Sequence, residues 1–261
     1  MNLDLVGKNA LVCGSSKGIG KACAIELANL GANITLVARS ADKLAATQSE
    51  LDRSQNQNHD FLVADFTDTK DLKKKVTGLV TAKPIHILIN NTGGPAGGPI
   101  IDAKIEEFTQ AFNNHIICNH LLTQAVLKGM KKEGYGRIIN IISTSVKIPI
   151  DGLGVSNTTR AAVANWAKTM ANELAEFGIT VNNVLPGSTK TGRLTSIISN
   201  QAEKMGVSFE EREEAWVNII PMKRFGVAKE IADAVAFLAS PSASYITGIN
   251  LPVDGGKTKS L

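Results

Sequence analysis

A single α/β domain built on a doubly wound, seven-stranded parallel sheet is the fold that this sequence predicts. Three observations carry that expectation. Short apolar runs rich in Val, Ile and Leu alternate with longer amphipathic stretches. The short runs lack strict in-and-out alternation, as strands covered on both faces should. No linker, repeat or low-complexity tract divides residues 1–261, a length that α/β domains commonly fill as one unit.

In chain order, strands are expected at Asn9–Cys13, Asn33–Ala38, Asp60–Ala64, Ile85–Asn90, Arg137–Ile142, Thr180–Leu185 and Asn250–Val253. Helices are expected between them at Ile19–Leu30, Ser40–Arg53, Thr67–Thr77, Ile105–Lys131, Thr158–Phe177 and Lys229–Ala239. Helical crossovers between strands imply a parallel sheet with helices on both faces. The rhythm breaks between Thr191 and Pro221, a charge-rich stretch whose apolar anchors are Leu194, Ile197, Ile198, Met205, Phe209 and Trp216. Long insertions in compact domains are usually functional or mobile. Residues 192–220 are therefore expected to form a lid over a bound ligand, mobile without it, rather than a solvated excursion.

Composition narrows the function classes. A formal charge of +4 over 261 residues, with no basic block, argues against nucleic acid as a partner. No run of 18 apolar residues exists, so no membrane span is expected, and the N-terminus lacks the pattern of a signal peptide. Cys13, Cys23 and Cys118 do not have a disulfide-framework spacing and fit a reducing compartment, so a cytoplasmic protein is expected. No metal is called for.

The first strand runs into Gly14-Ser15-Ser16-Lys17-Gly18-Ile19-Gly20 and then a helix. A glycine triplet in that strand-to-helix context is a dinucleotide-binding signal. Glycine allows the tight turn, and the helix N-terminus offers open N–H groups to a pyrophosphate. The domain is thus expected to be of the Rossmann type. Dinucleotide proteins that take NAD usually place an acid at the end of the second strand. Here Ala38 stands at that point, Arg39 follows, and Lys17 lies in the loop. Two cations and no carboxylate favour NADP(H) over NAD(H), through charge-assisted bonds to the 2′-phosphate.

With these motifs in order, nearly the whole chain resembles the short-chain dehydrogenase/reductase family, especially its 3-oxoacyl-carrier-protein-reductase-like members. Gly14, Gly18 and Gly20 match the family's glycine motif, and Asp65, followed by Phe66, matches the acid used beside the adenine. Asn90-Asn91-Thr92-Gly93 resembles the motif after the fourth strand. Pro186-Gly187 with Thr191 resembles the nicotinamide-side segment, and Val253-Asp254-Gly255-Gly256 the C-terminal signature. The resemblance implies a cofactor-binding set of Gly14, Ser16, Lys17, Gly18, Ile19, Gly20, Arg39, Asp65, Phe66, Asn91, Gly93, Arg160, Pro186, Gly187 and Thr191. It also implies pairing of the long helices Ile105–Lys131 and Thr158–Phe177 into a dimer or tetramer. Ala161, Ala162, Val163 and Trp166 give the second of these a close-packing face.

The catalytic positions depart from the family pattern. Ser143 matches the family serine, but Ser156 stands thirteen residues on where the tyrosine belongs, and Arg160 replaces the lysine. The asparagine position falls on His115, with Asn113 and Asn114 close by. A serine hydroxyl cannot readily donate a proton as a phenol does, and Arg160 can bond the nicotinamide ribose but is a poor proton shuttle. Tyr135 and Tyr245 precede strands and are expected about 20 Å away, at the opposite sheet edge. His115 is then the best titratable group, expected to supply a proton itself or through water; the loop charges Lys147 and Asp151 are weaker candidates. Two functions are open. The first is an NADP(H)-dependent oxidoreductase acting on the carbonyl, or the alcohol, of a small molecule or acyl thioester. The second is a nucleotide-binding sensor or assembly partner that kept the fold and lost the acid.

Overall fold

The computed structural model describes residues 1–260. Seven parallel strands form one sheet in the order β3-β2-β1-β4-β5-β6-β9. They are β1 (Asn9–Cys13), β2 (Asn33–Ala38), β3 (Asp60–Val63), β4 (Ile87–Asn90), β5 (Gly136–Ile141), β6 (Ile179–Pro186) and β9 (Asn250–Val253). The remaining strands, β7 (Thr189–Lys190) and β8 (Gly226–Val227), pair only with each other. Each expected strand forms within two residues of its expected bounds. Strand order reverses between β1 and β4, and this leaves a crevice beyond their C-terminal ends where ligands of such sheets bind.

Helices cover both faces. One carries α1 (Gly18–Asn29), α2 (Ala41–Ser49) and α9 (Ala228–Ala239); the other carries α3 (Thr69–Ala82), α5 (Cys118–Glu133) and α6 (Gly154–Leu174). Strand β1 shows why the apolar runs are continuous. Ala10 and Val12 enter the core on the first side, while Leu11 and Cys13 enter the core on the second.

Three expectations need correction. The helix expected over Ser40–Arg53 stops at Ser49, because Asp52 accepts from the Ser54 amide and turns the chain. The helix expected over Ile105–Lys131 is not continuous. It begins as α4 (Ile105–Phe112), widens into a π-helical turn at Asn113–Ile117, and continues as α5. Such turns recur at functional sites because they redirect side chains. The third is the helix expected over Thr67–Thr77, which runs on to Ala82 as α3. Residues 191–221 hold two capped helices, α7 (Gly192–Met205) and α8 (Phe209–Asn218). Gln201 Oε1 ties them together, accepting from Arg212 Nη2 at 2.8 Å and Trp216 Nε1 at 3.0 Å.

An amide ladder crosses four strands. Asn90, Asn140, Asn183 and Asn250 lie in register on β4, β5, β6 and β9. Asn90 Nδ2 donates to Asn140 Oδ1 (2.9 Å), Asn140 Nδ2 to Asn183 Oδ1 (2.8 Å) and Asn183 Nδ2 to Asn250 Oδ1 (2.8 Å). Polar side chains this deep are tolerated because each meets its neighbour. The ladder fixes the register of the strands whose ends carry Asn91, Ser143 and Gly187.

Candidate active site

The glycine loop leaves a cradle that no side chain fills. Gly14 and Gly18 have φ of +60° and +58°, where L side chains are disfavoured. A Cβ on Gly14 would stand 2.5 Å from the Asn91 carbonyl oxygen, and one on Gly20 would collide with the Gly14 carbonyl. Asn91 closes the back of the loop, its Nδ2 donating to the Cys13 and Gly14 carbonyls at 3.3 and 3.4 Å. Ser15 is buried and its hydroxyl accepts from the Val37 amide at 2.9 Å. No side chain caps α1, so its first-turn N–H groups face open space. This is the chemistry that a pyrophosphate needs.

Arg39, at the end of β2, and Lys17, in the loop, are both exposed, and no acid occupies position 38. Asp65 sits opposite; its carboxyl lies below the usual range chiefly because it accepts from the Thr67 amide, with Arg39 adding a smaller effect. On the other side of the crevice, the Gly187 amide donates to Val253 (3.0 Å). Thr191 caps α7 and packs its methyl 3.7 Å from where a Gly18 Cβ would stand. The loops holding Gly14, Asn91 and Thr191 thus converge on one cradle.

Ser143 and Arg160 lie at the C-terminal end of β5. Ser143 follows that strand closely, and its hydroxyl accepts from the Ser145 amide at 3.1 Å, leaving its own proton free to donate outward. Arg160 Nη1 donates to the Ile141 carbonyl (3.1 Å), and Ser156 stands one turn earlier on α6. The tyrosines lie elsewhere. Tyr135 donates to the Ala239 carbonyl at 2.6 Å ahead of β5, and Tyr245 is fully exposed. Asp151 is exposed in its loop.

His115 occupies the π-turn, 2% exposed, with Nδ1 2.7 Å from the Thr92 hydroxyl and Nε2 without a partner. Burial, followed by the guanidinium charges of Arg160 and Arg193, lowers its pKa to about 2. The expectation that it titrates in the ordinary histidine range is therefore revised: the ring stays neutral, with Nδ1 paired to the Thr92 hydroxyl. A stability consequence follows. Above the ordinary value of 6.5 the imidazole is neutral whether folded or not. As pH falls below that, the unfolded chain takes a proton that the folded ring refuses until about 2, so stability is lost progressively across that window. At pH 5 the loss should be about 2 kcal/mol. His59 and His86 are shifted the same way. Urea unfolding of the wild type and His115→Asn at pH 7 and 5 isolates this share, and equal pH dependence in both would refute it.

Two residues of this site escaped the sequence. Thr92 is one. Arg193, in the first turn of α7, is the other; it donates from Nη1 to the Gly94 carbonyl (3.1 Å) and from Nη2 to Pro95 (3.0 Å). That contact joins positions 99 residues apart, with no local signal to announce it.

Comparisons with known proteins agree with this geometry. A family model described as Enoyl-(Acyl carrier protein) reductase matches residues 14–258. The NADPH-dependent reductase BacG of Bacillus subtilis is 31% identical over 256 residues, covering 97% of this chain and 99% of that protein. The 3-oxoacyl-[acyl-carrier-protein] reductase FabG of Rickettsia bellii is 34% identical, covering 97% and 98%. Among solved structures, L-sorbose reductase of Gluconobacter frateurii, complexed with NADPH and L-sorbose, superposes with a TM-score of 0.93 at 28% identity over the whole of both chains. Family match, full-length relatives and the glycine cradle agree: the chain belongs to the short-chain dehydrogenase/reductase family of oxidoreductases, as a 3-oxoacyl-carrier-protein-reductase-like member.

Proposed function

We propose that this protein is an NADP(H)-dependent oxidoreductase that reduces a carbonyl of a small molecule or acyl thioester, or oxidises the matching alcohol. What supports this reading is the open glycine cradle after β1 together with Ser143 and Arg160 at the C-terminal end of β5, on the same edge of the parallel sheet. When bound, the cofactor supplies the hydride; the protein supplies position and electrostatics. Ser143 donates its free hydroxyl proton toward the carbonyl oxygen, and Ser156 offers a second hydroxyl on the same side. Arg160, whose pKa is lowered to about 10 by burial and then by Arg193, is still charged at neutral pH. It holds the ribose side and stabilises negative charge developing on oxygen, but does not shuttle a proton. Neutral His115 fixes Thr92 at the rim. With no phenol, water is left as the proton source, and a slower reaction than a tyrosine enzyme's is expected.

Single-turnover oxidation of bound NADPH by a panel of carbonyl compounds tests this reading. Ser143→Ala should slow it about 10- to 100-fold with little change in NADPH affinity. Absence of turnover with every carbonyl would favour the sensor reading, which rests on the missing tyrosine and lysine and against which the reductase relatives weigh. Arg39 and Lys17 support NADP(H) over NAD(H). Arg39→Ala should weaken NADPH binding about 10- to 100-fold and leave NADH within about twofold, by fluorescence titration. Equal losses for both would remove Arg39 from the 2′-phosphate site. The 192–220 helical pair is proposed as the substrate lid, since Thr191 caps its first helix toward Gly18 and Arg193, in that helix's first turn, reaches Gly94 and Pro95. Exposed Ile105, Phe112 and Ile117 on α4 and the π-turn support a homo-oligomer. Free, buried Cys13, Cys23 and Cys118 suit the cytoplasm.

A further inference from the structure

We propose that the substrate carries an oxyanion, a carboxylate or a phosphate, which Arg160 and Arg193 hold beside the reacting carbonyl; this rests on the reductase reading above. The two guanidinium groups meet at Gly94. A Cβ there would stand 3.0 Å from Arg193 Nη2 and 3.5 Å from Arg160 Nη2. Arg193 alone, exposed at the mouth, would be unexceptional. Arg160 is different: it is 7% exposed, and its Nε has no hydrogen-bond partner.

Among the described residues no carboxylate forms an ion pair with either guanidinium; every ion pair lies elsewhere, at Lys21, Lys75, Arg224 and Lys229. The bonds to the Ile141, Gly94 and Pro95 carbonyls orient the guanidiniums without neutralising them. Near them stand the His115 ring, held neutral, and the Thr92 hydroxyl that it bonds, neither of which carries negative charge. Two like charges, one of them buried, are costly unless an anion completes the site. A guanidinium fork suits planar carboxylate and phosphate equally.

The cofactor's own anions are accommodated elsewhere. Its pyrophosphate belongs to the glycine cradle, and its 2′-phosphate to Arg39 and Lys17. Nicotinamide and its ribose bring no negative charge. Within α7 the division is visible: Thr191 packs toward Gly18, whereas Arg193 turns away to Gly94 and Pro95. The missing anion therefore belongs to the substrate. The same pair would draw anionic substrates into the crevice and reject esters of equal shape.

The test begins with binding, so that it does not depend on turnover. Oxalate, and separately inorganic phosphate, are titrated calorimetrically into protein saturated with NADP+, which blocks the cofactor's phosphate sites. Saturable binding is expected, weakened about tenfold or more in Arg193→Gln and Arg160→Gln, with NADPH affinity unchanged in Arg193→Gln. The first variant changes an exposed residue, so misfolding does not confuse it. Single-turnover reduction then compares pyruvate with methyl pyruvate, and dihydroxyacetone phosphate with dihydroxyacetone. The charged member of one pair should react at least tenfold faster, which names carboxylate or phosphate, and Arg193→Gln should erase the difference. No anion binding, binding indifferent to both variants, or uncharged partners reduced equally well would overturn the proposal. So would a tenfold loss of NADPH affinity in Arg193→Gln, since the pair would then serve the cofactor. Arginine-dependent anion binding with no reduction of any carbonyl would uphold the anion site and defeat the reductase reading.

Discussion

Gly20→Ala is expected to abolish useful NADPH binding, with at least a 100-fold loss of affinity. A single methyl group is responsible. It would collide with the Gly14 carbonyl and stand 2.6 Å from Asn91 Nδ2. Neither neighbour can give way cheaply. Gly14 is backbone at φ +60°, and Asn91 anchors β4 to the loop through two carbonyls. Either α1 retreats from the crevice or the loop opens, and both move the N–H groups that a pyrophosphate needs. Overpacking of this kind also costs about 1–3 kcal/mol of stability. Gly78→Ala, on the exposed side of α3 and outside the cofactor set, is the control, because a Cβ there meets nothing within 4 Å. It should leave NADPH affinity unchanged and not lower stability. Fluorescence titration and urea unfolding of both variants check the pair. Near-wild-type NADPH affinity in Gly20→Ala would show that the cradle is not the pyrophosphate site.

Asn140→Ala should destabilise the fold by about 3–5 kcal/mol. Asn140 is fully buried at the centre of the amide ladder. Its removal orphans Asn90 Nδ2 and Asn183 Oδ1 together, and each unmet buried group costs about 1–3 kcal/mol. Asn250→Ala removes only the last rung, at a partly exposed position where water can replace the lost amide, so about 1 kcal/mol is expected. Denaturant midpoints measure both. Equal effects at the two positions would mean that the ladder contributes no more at its centre than at its rim. Because β4, β5 and β6 end just before Asn91, Ser143 and Gly187, Asn140→Ala should also loosen the site.

The sequence by itself determined the sheet, the cofactor loop and the lost tyrosine. Strands such as Asn9–Cys13 and Asn33–Ala38 were legible because burial on both faces demands continuous apolar runs, a local signal. Gly14, Gly18 and Gly20 were legible because only glycine fits that turn and that close approach. Ser156 and Arg160 were legible by counting from Ser143. The two helices inside 191–221 were not legible because they are held by Thr191 and Ser208 caps and by Gln201, with few apolar residues to mark them. The π-turn at Asn113–Ile117 was invisible, since the same residues would suit an unbroken helix. His115 was the largest correction. Its type suggested a titrating acid, yet its behaviour depends on how deeply it is buried and which charges lie near it. Only the tertiary structure decided that, by bringing Thr92, Arg160 and Arg193 from three distant segments against one ring. Local pattern fixes which backbone forms; the charge state of a buried group depends on contacts that no local pattern encodes.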